Sequence, residues 1–286
     1  MTAGTPKGDN MSAGTGARTK AKAKAALNRS FTGTTDHRGY VNWPQANLVS
    51  GVRLEQFEND LRQGDGSELR MKFCAVHSSA ALAVNCFSPF KDRTEDLFLL
   101  GQHGAVGIQF EKQMPIIPGR RPSNLDVWVD RGSSAVAAVS FKAIESKLLE
   151  YFEPKKPEFA EAYKTMETVA EPCWWSVCRN AWNGDAQHLD TAQLVKHYFG
   201  LRRFQTAAKQ TPDLVLLYLF WEPTNWQDIA ECRQHRSEVE HLAEQVVVSS
   251  IAFRWMTYPA LWQEWMAIPQ LVEHAGNLKA RYEICV

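Results

Sequence analysis

The run Leu214 to Phe220, LVLLYLF, is continuously apolar, and it constrains the fold more than any other segment. A strand with one wet face alternates apolar and polar side chains, so an unbroken apolar run belongs to a strand covered on both faces. The chain is therefore expected to bury a sheet between layers of helices. The segments before that strand supply the partners. A short helix-like piece, Leu54 to Leu61, leads into a stronger one in which Leu69, Phe73, Val76, Ala80, Ala83 and Phe87 recur at steps of four and three. That spacing is one apolar helical face. Val106, Ile108 and Phe110 alternate with Gly107, Gln109 and Glu111, a strand running into the Pro-rich turn from Pro115 to Pro122. A second strand starts near Leu125. Asp130, Arg131, Gly132, Ser133 and Ser134 have hairpin chemistry, and Val136 to Leu149 reads as a long third strand.

Helical patches follow between Glu158 and Trp182, and a clearer helix opens at Asp190. Asp190 and Gln193 fit the capping-box spacing there, with Leu194, Val195 and Tyr198 facing the core. From Thr224 onward the pattern is mostly helical, with Val239, Leu242 and Val246 on one stripe and the Trp-rich LWQEWM behind them. The order helix, strand, strand, strand, helix, strand, with a helical C-terminal extension, predicts one α/β domain over residues 37–286. Residues 1–36 are rich in Gly, Thr, Ala and Lys and nearly free of large apolar side chains. They are expected to form a disordered basic tail, whose Arg18, Lys20, Lys22, Lys24 and Arg29 are solvated charges within reach of phosphate.

The 286 residues suffice for a sizeable core. Lys and Arg number 32 against 32 Asp and Glu, so no global field draws the chain to a polyanion and any nucleic-acid contact must come from a local basic patch. No apolar run approaches the roughly 18 residues of a membrane span, and no apolar leader opens the chain. A cytoplasmic protein without a membrane partner is expected. Six cysteines, with no CxxC pair among them, read as reduced core residues rather than as zinc ligands or a disulfide framework. The ten tryptophans read as packing residues first, with Trp221 and Glu222 bordering whatever site lies at the end of the last strand.

Chemistry concentrates between Asn124 and Tyr151. On a strand from Val136 to Leu149, the side chains of Val139, Phe141, Ala143, Glu145 and Lys147 share a face. A carboxylate and an ammonium thus end an apolar row. Buried charges need a partner or an ion, and Asp126 on the preceding strand supplies a second carboxylate. Two acidic oxygen donors beside a Lys suit Mg²⁺, with Mn²⁺ as a substitute, because Mg²⁺ takes one or two carboxylates and leaves its other positions to water and phosphate. An E-x-K on a strand is also the pattern of an ordinary salt bridge.

Asp126 followed by Glu145-Ser146-Lys147 at the end of a hairpin resembles the PD-(D/E)XK nuclease superfamily, whose common core has the same element order. The strings SSAALAVNCFSPF (Ser78 to Phe90), RPSNLDV (Arg121 to Val127), AIESKLLEYFEPKKPEFAEAY (Ala143 to Tyr163), LDTAQLVKHYFGL (Leu189 to Leu201) and LYLFWEP (Leu217 to Pro223) resemble a bacterial restriction-endonuclease-like family over roughly residues 67–266. The resemblance implies a restriction-endonuclease-like mixed sheet flanked by helices. It further implies Asp126 and Glu145 as metal ligands, Lys147 as the catalytic lysine, Glu68 as an acidic ligand on the helix before the sheet, and Gln193 as an active-site residue. Leu125 stands where the superfamily has Pro.

Lys196 and His197 share the helix face of Gln193. Lys196 reads as an exposed side chain able to reach a phosphate, and His197 as a surface or core histidine. The expected function is metal-dependent hydrolysis of DNA phosphodiester bonds, with double-stranded DNA as the partner and a homodimer as one admissible assembly. The rival is a non-catalytic nucleic-acid-binding or structural protein on the same fold, since a fold alone does not carry function.

Overall fold

The computed structural model describes residues 10–63, 72–132 and 140–286. Helices α1 (Asn10–Ser30), α2 (Glu58–Gln63) and α3 (Ser79–Phe87) come first, then a small hairpin of β1 (Phe98–Leu99) and β2 (Gln102–His103). The main sheet has five strands, β3 (Gly107–Met114), β4 (Ser123–Asp130), β5 (Ser140–Lys147), β6 (Asp213–Phe220) and β7 (Ile251–Thr257), in that spatial order. The first three are mutually antiparallel, and β5, β6 and β7 run parallel. Helices α4 (Pro172–Trp182) and α5 (Thr191–Ala207) connect β5 to β6, α6 (Ala230–Gln245) connects β6 to β7, and α7 (Tyr258–Met266) and α8 (Val272–Tyr282) close the chain.

Strand β6 is wedged between two cores, as its sequence requires. Leu217 and Leu219 pack with Phe87, Trp262, Trp265 and Leu278 on the face of α3, α7 and α8. Leu216 and Tyr218 pack with Trp174, Val195, Tyr198 and Val239 on the face of α4, α5 and α6. Each fully buried apolar side chain of this size contributes about 1.5–3 kcal/mol, so a charged residue in either layer forgoes that gain.

Alternation along β3 and β4 breaks at one row. Ile108 and Phe110 pack with Val127 and Val129 in the α3 core, whereas Met114 and Leu125 pack in the α5 core. Between them Glu111 has φ 50°, a left-handed conformation that costs a non-glycine residue about 1–3 kcal/mol. The register would set Glu111 opposite Asp126, yet that pair is missing from the ladder between Phe110↔Val127 and Lys112↔Leu125. Strand β4 leaves β5 at the same height. Their ladder ends at Val127↔Ile144, one step short of Asp126 facing Glu145. The strands roll over where three carboxylates, Glu111, Asp126 and Glu145, stand on one cross-strand row.

Several sequence expectations change. Residues 10–30 form α1, not a disordered tail: Ala23, Ala26 and Leu27 are buried, and Ser30 Oγ donates to the Arg281 carbonyl at 2.9 Å. Ala and Lys are strong helix formers, and a stripe made of Ala hides in a hydropathy reading because its side chains are small. Of the helix expected from Leu69 to Phe87, residues 69–71 lie outside the described residues, and the described helix begins at Ser79, where the Ser78 hydroxyl caps it by accepting the Ala81 N–H at 3.2 Å. Phe73 and Val76 are buried from turns instead. The third strand is described from Ser140 to Lys147; residues 133–139, with the Ser133 and Ser134 of the expected hairpin, lie outside the described residues. The C-terminal region read as helical contains β7, whose burial pairs it to β6. Among the described residues, no helix is long and apolar enough to cross a membrane.

Candidate active site

Residues two apart on a strand share a side, so β5 delivers Glu145 and Lys147 together to the α5 face. Glu145 is 0% exposed. Its Oε1 lies 2.5 Å from Lys147 Nζ, and its Oε2 lies 2.7 Å from Nε2 of His197, itself only 1% exposed. Lys147 Nζ also donates to Gln193 Oε1 at 2.9 Å. Gln193 and His197 are four residues apart on α5 and so lie on one face of that helix, one above the other. Close approach of α5 to the sheet is set at Gly200, where a Cβ would come within 2.6 Å of the Met114 Cβ. Asp190 caps α5 by accepting the Gln193 N–H at 3.0 Å. The Gln193 side chain is thereby left to meet Lys147.

Asp126 Oδ2 accepts the Ser146 N–H at 2.6 Å. Burial pushes the Asp126 carboxyl well above the usual carboxylate range, and the charges of Glu145 and Glu111 push it the same way, against Lys147 and the Ser146 N–H. Burial also works against the charge of Glu145, but Lys147 and His197 outweigh it and hold the pKa down at about 2. For Lys147 burial is likewise opposed and overcome, by Glu145, Glu150 and Asp126, so its pKa rises above the ordinary ammonium value. The site is thus a charged Glu145–Lys147 pair beside a carboxyl that resists ionisation.

Next to this pair, with its contact residues Gln193 and His197 and with Asp126 in the wall, opens a cavity of about 570 Å³. Glu111, Asp126, Glu150 and Asp190 line it together with Lys72, Arg121, Lys196, Gln193 and His197. Glu111 Oε2 accepts from Asn124 Nδ2 at 3.3 Å. The donor set of the row Glu111, Asp126 and Glu145 is all oxygen, and a divalent cation there would offset the burial and the repulsion that raise Asp126. Among the described residues, no group of three or more His, Cys, Asp and Glu side chains is gathered as a ready cage. Both Glu145 oxygens are instead turned to Lys147 and His197. Mg²⁺ needs only one or two protein carboxylates, so the residues present fit it.

Of the residues singled out from sequence, the fold brings Asp126, Glu145, Lys147 and Gln193 together, and Lys196 lines the same cavity. Glu68 lies outside the described residues. Trp221 and Glu222 point elsewhere: Trp221 Nε1 donates to the Tyr282 carbonyl at 2.8 Å, and Glu222 pairs with Arg236. Beyond the cavity-lining Lys72, Arg121 and Glu150, two residues beside the carboxylates were not anticipated. His197, read as a surface or core histidine, touches Glu145; its only signal was the four-residue spacing from Gln193. Glu111, read as the polar half of an alternating strand, joins Asp126; the left-handed turn that aims it has no sequence mark.

Compared with models of protein families, residues 17–283 match one described as Restriction Endonuclease associating with ARP. No curated protein and no solved structure matches the chain.

Proposed function

The chain belongs to the family of restriction endonucleases associating with ARP, and from that premise we propose that it is a divalent-metal-dependent nuclease of the PD-(D/E)XK type that hydrolyses DNA phosphodiester bonds. The observation that carries the reading is the buried Glu145–Lys147 pair, 2.5 Å apart, held by α5 beside an Asp126 whose charge its neighbours oppose. Asp126 and Glu145 would hold Mg²⁺ or Mn²⁺, with Glu111 on the same row. Bound there, the metal would supply Lewis-acid stabilisation of a phosphoryl oxygen and lower the pKa of a water.

The protein's own groups do the rest. Lys147, kept charged by its carboxylate neighbours, stabilises negative charge developing on the phosphoryl group. Gln193 fixes the Lys147 ammonium and His197 fixes the Glu145 carboxylate, so neither must reorganise when substrate arrives. Lys72, Arg121 and Lys196 on the cavity wall meet the phosphates on either side. Double-stranded DNA as substrate, and the association with ARP in the family's description, belong to the same proposal.

A second reading, a non-catalytic nucleic-acid-binding protein on this fold, is favoured by one observation: both Glu145 oxygens already have partners, Lys147 and His197. One experiment separates the two. Purified protein is incubated with double-stranded DNA and Mg²⁺, Mn²⁺, Ca²⁺ or EDTA. The nuclease reading expects cleavage with Mg²⁺ or Mn²⁺ that EDTA stops, and cleavage undiminished in chelator overturns the metal assignment. DNA binding without cleavage in either metal supports the second reading.

A further inference from the structure

Beside the acidic cavity lies a second pocket of about 290 Å³, with Ile116, Ile117, Pro122, Ala162 and Tyr163 in its lining. Arg121, Pro122, Ser123 and Lys196 line both spaces. A ligand that filled them together would carry an anionic part in the cavity and an apolar part in the pocket, with cationic side chains at the junction. A nucleotide has that division, a phosphate joined to a flat base.

Aromatic packing continues the pattern outward. Tyr163 meets Phe159 edge-on with ring centroids 5.9 Å apart, and Phe159 stacks on Trp182 at 5.3 Å and 8°. Lys196 lies over the Phe159 ring at 5.9 Å and Lys164 over the Trp182 ring at 5.2 Å. Phe159 and Trp182 are half-buried rather than sealed in the core. Aromatic faces interleaved with cations are the construction that binds unpaired nucleic acid, stacking bases while the cations follow the backbone.

We propose that this pocket receives one unstacked nucleobase of the strand whose phosphate occupies the cavity. The proposal rests on the nuclease reading for the placement of that phosphate. It makes the substrate a strand with an unpaired nucleotide at the reaction site, either single-stranded or with one base extruded from a duplex, an extrusion that enzymes acting on bases also use.

The test uses the full chain in EDTA, so that binding is read without turnover. Fluorescence anisotropy compares a labelled single-stranded oligonucleotide with an abasic strand of equal length and charge. The parent is expected to hold the normal strand about tenfold more tightly, the size of one stacked base. Ala162→Leu, which fills the pocket, and Ile117→Ser, which removes apolar wall, should each bring the normal strand down to the abasic affinity. Abasic binding should stay at the parent's value in both, and the melting temperature should hold in Ala162→Leu and fall slightly in Ile117→Ser, which loses packing against the α5 core. A duplex carrying 2-aminopurine distinguishes the sources: increased fluorescence on binding identifies an extruded base, and none identifies a single strand. Equal parent affinity for normal and abasic strands overturns the pocket, as does a folded Ala162→Leu or Ile117→Ser variant that keeps the parent's preference. Cleavage with Mg²⁺ but no preference for bases removes the pocket alone, and the preference without cleavage in Mg²⁺ or Mn²⁺ removes the nuclease reading alone.

Discussion

Glu145 at the end of β5 and Glu222 just past β6 are both buried against a cation, and their pKa values are shifted in opposite directions. Glu222 is gripped in bidentate fashion, with Arg236 Nη2 at 2.5 Å and Nε at 3.2 Å, and the guanidinium lies over Trp226 at 4.2 Å. Burial still raises the Glu222 pKa, because a single cation only partly offsets the loss of water. At Glu145 burial acts the same way, yet Lys147 and His197 together hold the pKa at about 2. A buried ion pair is therefore poor evidence of a site by itself, since its desolvation cost can exceed its attraction. What sets Glu145 apart is its surroundings: a second partner in His197, an Asp126 that resists ionisation, and a polar cavity that Asp126 and His197 line. Among the described residues Glu222 has Arg236 alone, whose guanidinium lies over Trp226.

The comparison is broken most directly by neutralising each carboxylate in turn. Glu145→Gln and Lys147→Ala are expected to cut cleavage by about 10³-fold or more. Each strands a buried charge and should also cost about 3–5 kcal/mol of stability. Glu222→Gln should lower stability through the orphaned Arg236 and leave cleavage at the parent's rate. Melting temperature and Mg²⁺-dependent cleavage must be read on the same samples. Equal losses of cleavage at Glu145 and Glu222 would erase the distinction drawn between them.

Asp126→Asn sharpens it, because stability and activity should move in opposite directions. The asparagine oxygen can still accept the Ser146 N–H, while repulsion from Glu145 and Glu111 disappears. Cleavage should fall by about 10³-fold, with stability at neutral pH raised. The pH dependence follows from the raised pKa. Folded protein holds the Asp126 proton more tightly than unfolded chain, so the parent loses stability as pH rises from the ordinary value of 3.8 to the elevated folded one. The variant's advantage is thus full above the folded pKa and gone below 3.8. Glu145 has the opposite sign: its contribution is full above 4.5 and is lost as pH falls toward about 2. An asparagine variant less stable than the parent at neutral pH would mean that Asp126 is not opposed by its neighbours.

These contrasts also show where the sequence was readable. Glu145 and Lys147 announced themselves because strand periodicity is local: two residues two apart must share a face. LVLLYLF marked its strand for the same reason. His197 could not be read that way, since its contact with Glu145 spans 52 positions and exists only because Gly200 seats α5 close to the sheet. Glu111 was misread because a regular strand would have turned it from the core; one left-handed residue changes that, and non-glycine residues take up this conformation without a characteristic motif. Strand β7, IAFRWMT, reads as helix in the sequence because amphipathic helical segments flank it on both sides and its own alternation is only seven residues long. α1 was lost because alanine registers weakly as apolar.

A smaller effect is expected at His197, the second partner of Glu145. His197→Gln keeps a donor for Glu145 but removes the imidazole that distinguishes this carboxylate from Glu222. Cleavage should fall by about 10²-fold, chiefly in kcat, since His197 acts through Glu145. A rise in KM with kcat unchanged would place its role in substrate binding instead.

The smallest change, at Gln193, asks how much of the Glu145 state depends on undivided attention from Lys147. Capping is already done by Asp190, so replacing the side chain of Gln193 leaves the helix start intact. In Gln193→Glu the acceptor for Lys147 survives, and a new negative charge near the α5 N-terminus is favoured by the helix dipole. Stability should hold. The amide donor is lost, however, and a further carboxylate joins Asp126, Glu150 and Asp190 around the cavity. Lys147 would then be shared between Glu145 and the new carboxylate, moving Glu145 toward the weakly compensated condition of Glu222, while an incoming phosphate meets added repulsion. Cleavage is expected to fall about tenfold with an unchanged melting temperature. Parent-like cleavage would show that the hold of Lys147 on Glu145 tolerates a competitor, and would leave Asp126, Glu145 and Lys147 as the reacting core with Gln193 as its support alone.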